Sequence, residues 1–278
     1  MKNNWTSEEI TFLTKNYPLY GKKYCATKLN REGSSVYKKA NRLKLKVNLE
    51  VKLFNNKLAQ EKYQNERMSD DFNVNIDQFI DIKKPEVAYI LGFLWADGYV
   101  IRNEIRLEIL KDDLDAIKPI LDSIGKWTYS YRDRDGCRTS GRATTSNKKL
   151  KEVLVKNDYD KKSYMSADKI LSIIPMELKH YFFRGLIDGD GCIYSNKNKK
   201  TISISGSHKQ NWFFINNLCN ELNISSYTYR YIRLTGSYST IEINGNNAIT
   251  LGEYIYKDYL FGLKRKHDKF IKMKKHTI

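Results

Sequence analysis

Two stretches of this sequence repeat one pattern, and that pattern restricts how the chain can fold. Residues 89–98 read YILGFLWADG, and residues 180–191 read HYFFRGLIDGDG. Each is an apolar run of helical length that stops at an acid followed by glycine. Superposed, Gly92 matches Gly185, Ala96 matches Gly189, Asp97 matches Asp190 and Gly98 matches Gly191. Small residues four apart share a helix face, so Gly92/Ala96 and Gly185/Gly189 each leave a face without bulk. Two such faces let helix backbones approach more closely than the usual ~8–10 Å. Packing there would bring Asp97 and Asp190 side by side at the C-terminal ends of their helices.

That convergence is costly. Two carboxylates add like charge to the negative ends of two helix macrodipoles. A divalent cation would relieve it, and hard oxygen ligands suit Mg²⁺ or Ca²⁺. Either segment alone reads as a buried helix with an ordinary polar stop, Gly98 and Gly191 ending it. The repetition favours the metal reading. An EF-hand loop is a poor rival for DGDG, because Cys192 stands where a third oxygen ligand is needed.

Both segments resemble the LAGLIDADG motif of homing endonucleases, which occurs twice in single-chain members. Residues 183–191 (FRGLIDGDG) are close to the family pattern; residues 90–98 (ILGFLWADG) carry Trp95 in place of its earlier acid. The resemblance implies that Asp97 and Asp190 are the catalytic metal ligands, helped by the carbonyls of Ala96 and Gly189. It implies Mg²⁺ or another divalent cation as cofactor. Asp188 reads as a structural acid or one supporting the ligand acids. The family adds a basic residue in each half to organise water, for which Arg142 and Lys264 are the candidates.

Composition agrees with a polyanionic partner: 49 Lys and Arg oppose 32 Asp and Glu, a net charge of +17, and 20 residues are Tyr. Nucleic acid is the commonest partner of such a chain, although an AT-rich genome inflates Lys, Asn, Ile and Tyr together. Cys25, Cys137, Cys192 and Cys219 lack CxxC spacing and read as reduced thiols. His180, His208, His267 and His276 are scattered, which gives no support to a His-centred nuclease or a Ser-His-Asp triad. No apolar run approaches ~18 residues and none resembles a signal peptide. A cytoplasmic protein without membrane association is expected.

Residues 1–47 read as a separate trihelical unit. Residues 6–9 form a capping box opening a helix to about 16, with Ile10 and Leu13 inward. Pro18 and Gly21 break it. A helix over 22–29 offers Ala26 and Leu29, and one over 35–44 buries Val36, Ala40 and Leu43. Its other face shows Ser35, Lys38, Lys39 and Arg42, types that contact phosphates and guanine, although a solvated face has the same composition. The start WTSEE (5–9) and the close KANRLKL (39–45) resemble Myb-like or helix-turn-helix modules, which implies DNA binding.

Residues 48–84 read as a polar linker. Residues 85–174 and 175–278 then repeat one order of elements. The first unit has the motif helix, strands over 99–101 and 104–110, a helix over 112–124, strands over 127–132 and 138–145, and a helix over 147–157. The second has strands over 192–195, 201–206, 227–234 and 239–244, with helices over 209–222 and 246–257. The expected fold is α+β, two pseudo-symmetric αββαββα repeats (the homing endonuclease fold) after a small trihelical domain. A monomer with an internal pseudo-dyad follows. In the family the free sheet faces sit over duplex DNA, so Arg106, Arg142, Arg230 and Arg233 are candidate DNA contacts. In the basic tail over 263–275, Lys264 and Arg265 are candidates too, or else part of a disordered end. The leading expectation is an endonuclease that hydrolyses both strands of duplex DNA at a long recognition site. An RNA maturase acting on intron RNA and a non-cleaving DNA-binding regulator are the alternatives.

Overall fold

Thr6 opens helix α1 (Ser7–Lys28) with a reciprocal capping box: the Glu9 amide donates to its hydroxyl at 3.2 Å, and its own amide donates to the Glu9 carboxylate at 2.9 Å. Gly21 breaks this helix with φ 72 and ψ −171, a backbone region that favours glycine. With α2 (Gly33–Arg42) there are three helical segments, closed on Leu13, Tyr17, Cys25, Val36 and Ala40. The expected three-part layout is present and Gly21 makes the expected break, but the first helix runs past residue 16 and through Pro18 to reach it. Phe12, not Ile10, packs on this core. Arg31 fixes the chain start: its guanidinium forks onto Glu9 at 2.9 Å and lies 4.4 Å from the Trp5 ring centre.

The structure is a computed structural model, and it describes residues 4–53, 57, 76–102, 104–133, 136, 138–232 and 236–275. The chain divides into two units, Met1–Asp70 and Asp71–Ile278, each with its own core. Of the expected linker 48–84, residues 54–56 and 58–75 lie outside the described residues. Its last part is core: α3 (Asp77–Ile80) carries Phe79, and Phe79 and Ile82 are both buried in the larger unit.

In that unit α4 (Pro85–Asp97) begins on Pro85, which pre-sets a helical φ where no amide partner is needed. Its residues from Val87 to Trp95 are all buried. Then follow β1 (Gly98–Ile101), β2 (Glu104–Leu110), α5 (Lys111–Ile124), β3 (Thr128–Arg132), β4 (Ser140–Thr145) and α6 (Lys148–Lys156). A short α7 (Asp168–Ile173), not anticipated, and a 3-10 turn (Met176–Leu178) lead into α8 (Lys179–Asp190). The order then repeats: β5 (Gly191–Ser195), β6 (Lys200–Ser207), α9 (Phe213–Glu221), β7 (Tyr227–Tyr231), β8 (Tyr238–Asn244) and α10 (Asn246–Ile255). A final α11 (Lys264–Lys275) closes the unit, with Lys266, Phe270 and Met273 buried.

The two antiparallel sheets have matching orders, β1-β2-β4-β3 and β5-β6-β8-β7. The fold is α+β, built of two αββαββα repeats. Alternation explains each sheet: Ile105 and Leu107 in the first, and Ile202, Ile204, Ile241 and Ile243 in the second, are buried, with polar residues between them. One helix begins later than its periodicity suggests, at Phe213 instead of 209. Asn211, just before the N-cap residue Trp212, turns the chain into it, its side chain accepting from the Phe213 amide at 3.0 Å.

Candidate catalytic centre and nucleic-acid interface

The motif helices α4 and α8 cross with backbone against backbone. A Cβ on Gly92 would lie 1.9 Å from the Phe182 carbonyl oxygen, and one on Gly185 would lie 2.0 Å from that of Tyr89. No side chain fits at either position. At the C-terminal end a Cβ on Gly189 would stand 2.4 Å from that of Ala96 and 2.9 Å from the Asp97 carboxylate. Asp97 therefore leans across the seam onto the other helix, towards Asp190.

The two acids respond to this crowding. Burial raises the pKa of Asp97, and nearby Lys162 and Lys266 partly oppose the shift. Asp190 keeps a solvent-exposed edge, yet the protein packed round its carboxyl, with Asp97 facing it, pushes it up to about 6. Accessibility to water and loss of bulk solvation coexist at a helix end of this kind, and the second governs the pKa.

Two lysines that sequence reasoning did not single out complete the centre. Lys162 Nζ donates to the carbonyls of Leu94 (3.2 Å) and Ala96, the last turn of α4. Lys266 Nζ donates to the carbonyls of Ile187 (2.7 Å), Gly189 (3.1 Å) and Gly191 (2.7 Å), at the end of α8. Leu94 and Ala96 superpose on Ile187 and Gly189, so the lysines play matching parts in the two repeats. Each adds a donor to carbonyls at or just past the helix end, including Ala96 and Gly189, and places a cation at the negative end of the dipole. Burial lowers both to about 8, while neighbouring acids pull the other way. The repulsion between Asp97 and Asp190 is thus relieved in part by the protein itself.

Lys264, the expected basic residue of the tail, instead pairs with Asp268 at 2.7 Å on an exposed face, and Arg265 forks onto Asp113 at 2.6 Å. The expected alternative of a disordered end is replaced by the packed α11. The lysine stripe held a signal: Leu263, Lys266, Phe270 and Met273 are spaced 3, 4 and 3, so Lys266 occupies a core position of an amphipathic helix. For Lys162 no comparable signal exists.

Asp188 stands behind the centre. It is 1 % exposed and accepts from Tyr89 (2.9 Å), Tyr256 (3.3 Å) and the Leu263 amide (2.8 Å), with burial raising it to about 6. One turn away, fully buried Arg184 donates to the carbonyls of Ile255, Lys257 and Phe261. Together they pin the 255–263 segment to α8 and so set where Lys266 enters. In the first repeat Trp95 takes the position of Asp188. Its ring meets Tyr159 edge-on at 5.0 Å, and the Tyr159 hydroxyl donates to the Leu91 carbonyl at 2.8 Å. An aromatic contact does there what a carboxylate does in the second copy.

For a metal the donor set is hard oxygen: two carboxylates and the carbonyls of Ala96 and Gly189, each also accepting from a lysine. Among the described residues no group of three or more His, Cys, Asp or Glu side chains gathers at this centre or anywhere else, so the carbonyls are needed to complete the donor set. These donors fit Mg²⁺ or Ca²⁺, with water or phosphate oxygens filling the remaining positions.

Strand register shows which sheet residues face away from the core. In the first sheet Arg106 pairs with Tyr99 and Thr144, and Glu108 with Arg142. These lie on the outer face with Ser130 and Arg132. Arg106 binds Glu104 at 2.6 Å, and Arg142 binds Glu108 at 2.8 Å. In the second sheet Ser203 and Ser205 share the outer face with Glu242 and Thr240, and with Tyr227 and Tyr229 of β7. Arg230 departs from expectation. It pairs with Ser239 on the core side, and its guanidinium donates to the carbonyls of His208 and Gln210. Arg233 lies outside the described residues. In the smaller unit Lys38 and Arg42 are exposed and Ser35 is half-buried on α2, while Lys39 lies 5.8 Å over the Trp5 ring.

Residues 177–256 match the LAGLIDADG-like domain family. No curated protein sequence matches the chain. Among solved structures it is similar to I-DmoI in complex with DNA and calcium, at 16% identity and a TM-score of 0.47, over 68% of this chain and 97% of that one. I-SmaMI bound to uncleaved DNA target with calcium matches at 13% and 0.44, over 68% and 90%. The I-LtrWI LAGLIDADG homing endonuclease bound to target DNA matches at 13% and 0.43, over 69% and 91%.

Proposed function

We propose that this chain is a divalent-metal-dependent endonuclease of the homing type, cutting both strands of duplex DNA at a long recognition site. The observation that carries the reading is the pair Asp97 and Asp190, one from each repeat, brought together at the ends of two helices that touch backbone to backbone. A structural role alone does not account for two acids placed so that both lose solvation. The family match over 177–256 covers the second of them.

In this reading each repeat serves one strand. Asp97 and Asp190, with the carbonyls of Ala96 and Gly189, would hold Mg²⁺, which supplies charge to polarise the phosphate and a water acidified for attack. Lys162 and Lys266 position that set by fixing the carbonyls. They also keep positive charge beside the carboxylates, where negative charge develops on the phosphate. Arg184 and Asp188 hold Lys266 in place from behind. The smaller unit would grip flanking DNA through Ser35, Lys38, Lys39 and Arg42 on α2.

The test uses the duplex obtained by joining the sequences that flank the chain's own gene or intron, together with a random duplex pool. With Mg²⁺ the protein should make a double-strand break at one site, and Asp190→Asn should not. The variant should still bind the same DNA in Ca²⁺. Cleavage by Asp190→Asn at the wild-type rate, or no site-specific cleavage of either substrate by the wild type, would overturn the reading.

A further inference from the structure

The outer faces of the two sheets are built alike in backbone and differ in chemistry. The first carries Arg106, Arg132 and Arg142 with Glu104 and Glu108, and two of the arginines are clasped by those acids at 2.6 and 2.8 Å. The second shows Ser203, Ser205, Tyr227 and Tyr229, with Glu242 as the charged group among them and buried Thr240 bonded to the Ser205 hydroxyl at 3.0 Å. Among the described outer positions of its four strands there is no lysine or arginine, and its one arginine, Arg230, is held on the core side. Tyr227 and Tyr229 are 55% and 42% exposed, which leaves their rings available to a partner.

We propose that the two sheets read the two halves of the duplex by different chemistry: the first through clasped arginine–glutamate pairs at G·C base pairs, the second through hydroxyls and tyrosine rings at a thymine-rich half that tolerates single changes. The inference rests on the DNA-binding reading above and goes beyond it to the sequence preferred.

The chemistry follows from what base edges offer. Guanine O6 and N7 accept both arms of one guanidinium, and the cytosine opposite donates N4–H, which a carboxylate accepts. A clasped Arg–Glu pair therefore presents a donor fork beside an acceptor, the complement of a whole G·C pair. The clasp also fixes the arginine rotamer in advance, which lowers the ordering cost on binding. An acid on a DNA-facing surface repels phosphate, so Glu104 and Glu108 would weaken a face used only for backbone attraction. On the second sheet, hydroxyls serve either base, and apolar surface contacts the thymine methyl. Without a fork that face imposes less on each position. The plain alternative is that the ion pairs are solvated surface salt bridges, which contribute little to stability and nothing to sequence choice.

The deciding experiment is selection from a random duplex pool by the full chain in Ca²⁺, followed by sequencing of the bound DNA. The inference expects a site with G·C pairs concentrated in one half and a weakly constrained, T-rich other half. Arg142→Lys keeps the charge and loses the fork. It should reduce preference by about tenfold or more at one or two positions of the G·C half, with the dependence of binding on salt unchanged. Tyr229→Ala should alter the other half alone. Equal G·C demand in both halves, or an Arg142→Lys protein with the wild-type preference, overturns this inference and leaves the endonuclease reading standing. Failure to enrich any sequence overturns both.

Discussion

The loss of solvation at Asp97 and Asp190 has a measurable pH signature. The folded pKa of Asp190, about 6, lies above the roughly 3.9 of an unfolded aspartate. Between those values the folded state holds more protons than the unfolded one, so the group's contribution to stability falls as pH rises through the window. In metal-free buffer Asp190→Asn should therefore be as stable as wild type or more stable above pH 6. The advantage should vanish below about pH 4. Chemical denaturation at pH 7.5 and pH 4 measures both, and a destabilised variant at pH 7.5 would show that the charge is already compensated. Lys266 works in the opposite sense. Lys266→Met strips a partner from one buried and two part-buried carbonyls and should cost about 2 kcal/mol, read by urea unfolding; a stabilised variant would make the buried ammonium a net burden. The acids were legible because apolar run, small face, acid and glycine recur together. Lys162 was not, because its role depends on where a loop 66 residues downstream returns. Arg230 was misplaced for a related reason: strand alternation separates two sides, and only its pairing with Ser239 shows which one faces the core.

At the scale of elements, the crossing of α4 and α8 is the joint on which both repeats depend. A methyl group at Gly185 would meet the Tyr89 carbonyl at 2.0 Å and the Phe93 amide nitrogen at 2.8 Å, both backbone atoms that cannot rotate away. Gly185→Ala should thus cost about 3 kcal/mol or more, at the upper end of overpacking penalties, and should lower cleavage by separating the carboxylates. Unchanged melting temperature and activity would show that the helices can part without consequence. The strands were readable from alternation, and their pairing order repeats in the two halves. What the pattern could not show was α7 and the docking of α11. Charge dominates the tail, and only three apolar positions, 263, 270 and 273, mark its buried side.

For the molecule as a whole, two cores in one chain would, under the proposed function, separate chemistry from grip. Residues 1–47 carry eleven lysines and arginines against three acids and none of the candidate metal ligands. Their core of Leu13, Tyr17, Cys25, Val36 and Ala40 is complete in itself. The boundary matters for testing this. Polarity through 48–84 suggested a linker up to residue 84, but Phe79 and Ile82 are buried in the larger core, and Gln78 donates to the Ile124 carbonyl at 3.1 Å. A chain starting at Ile82 would lose that packing, so the comparison calls for one starting at Asp71. It keeps both repeats, both carboxylates and both lysines, and should cleave at saturating protein with the single-turnover rate of the full chain. Its affinity should fall, because a second tethered module raises effective concentration and strengthens binding by about a hundredfold or more without new chemistry. Sequence dependence at one flank should relax with it, and Arg42→Ala in the full chain should reproduce part of the loss. Binding and single-turnover cleavage, measured on the same duplex at matched salt, separate the outcomes. A folded chain from Asp71 that binds as tightly as the intact protein would remove residues 1–47 from DNA recognition, while a loss of rate at saturation would make them part of the catalytic unit.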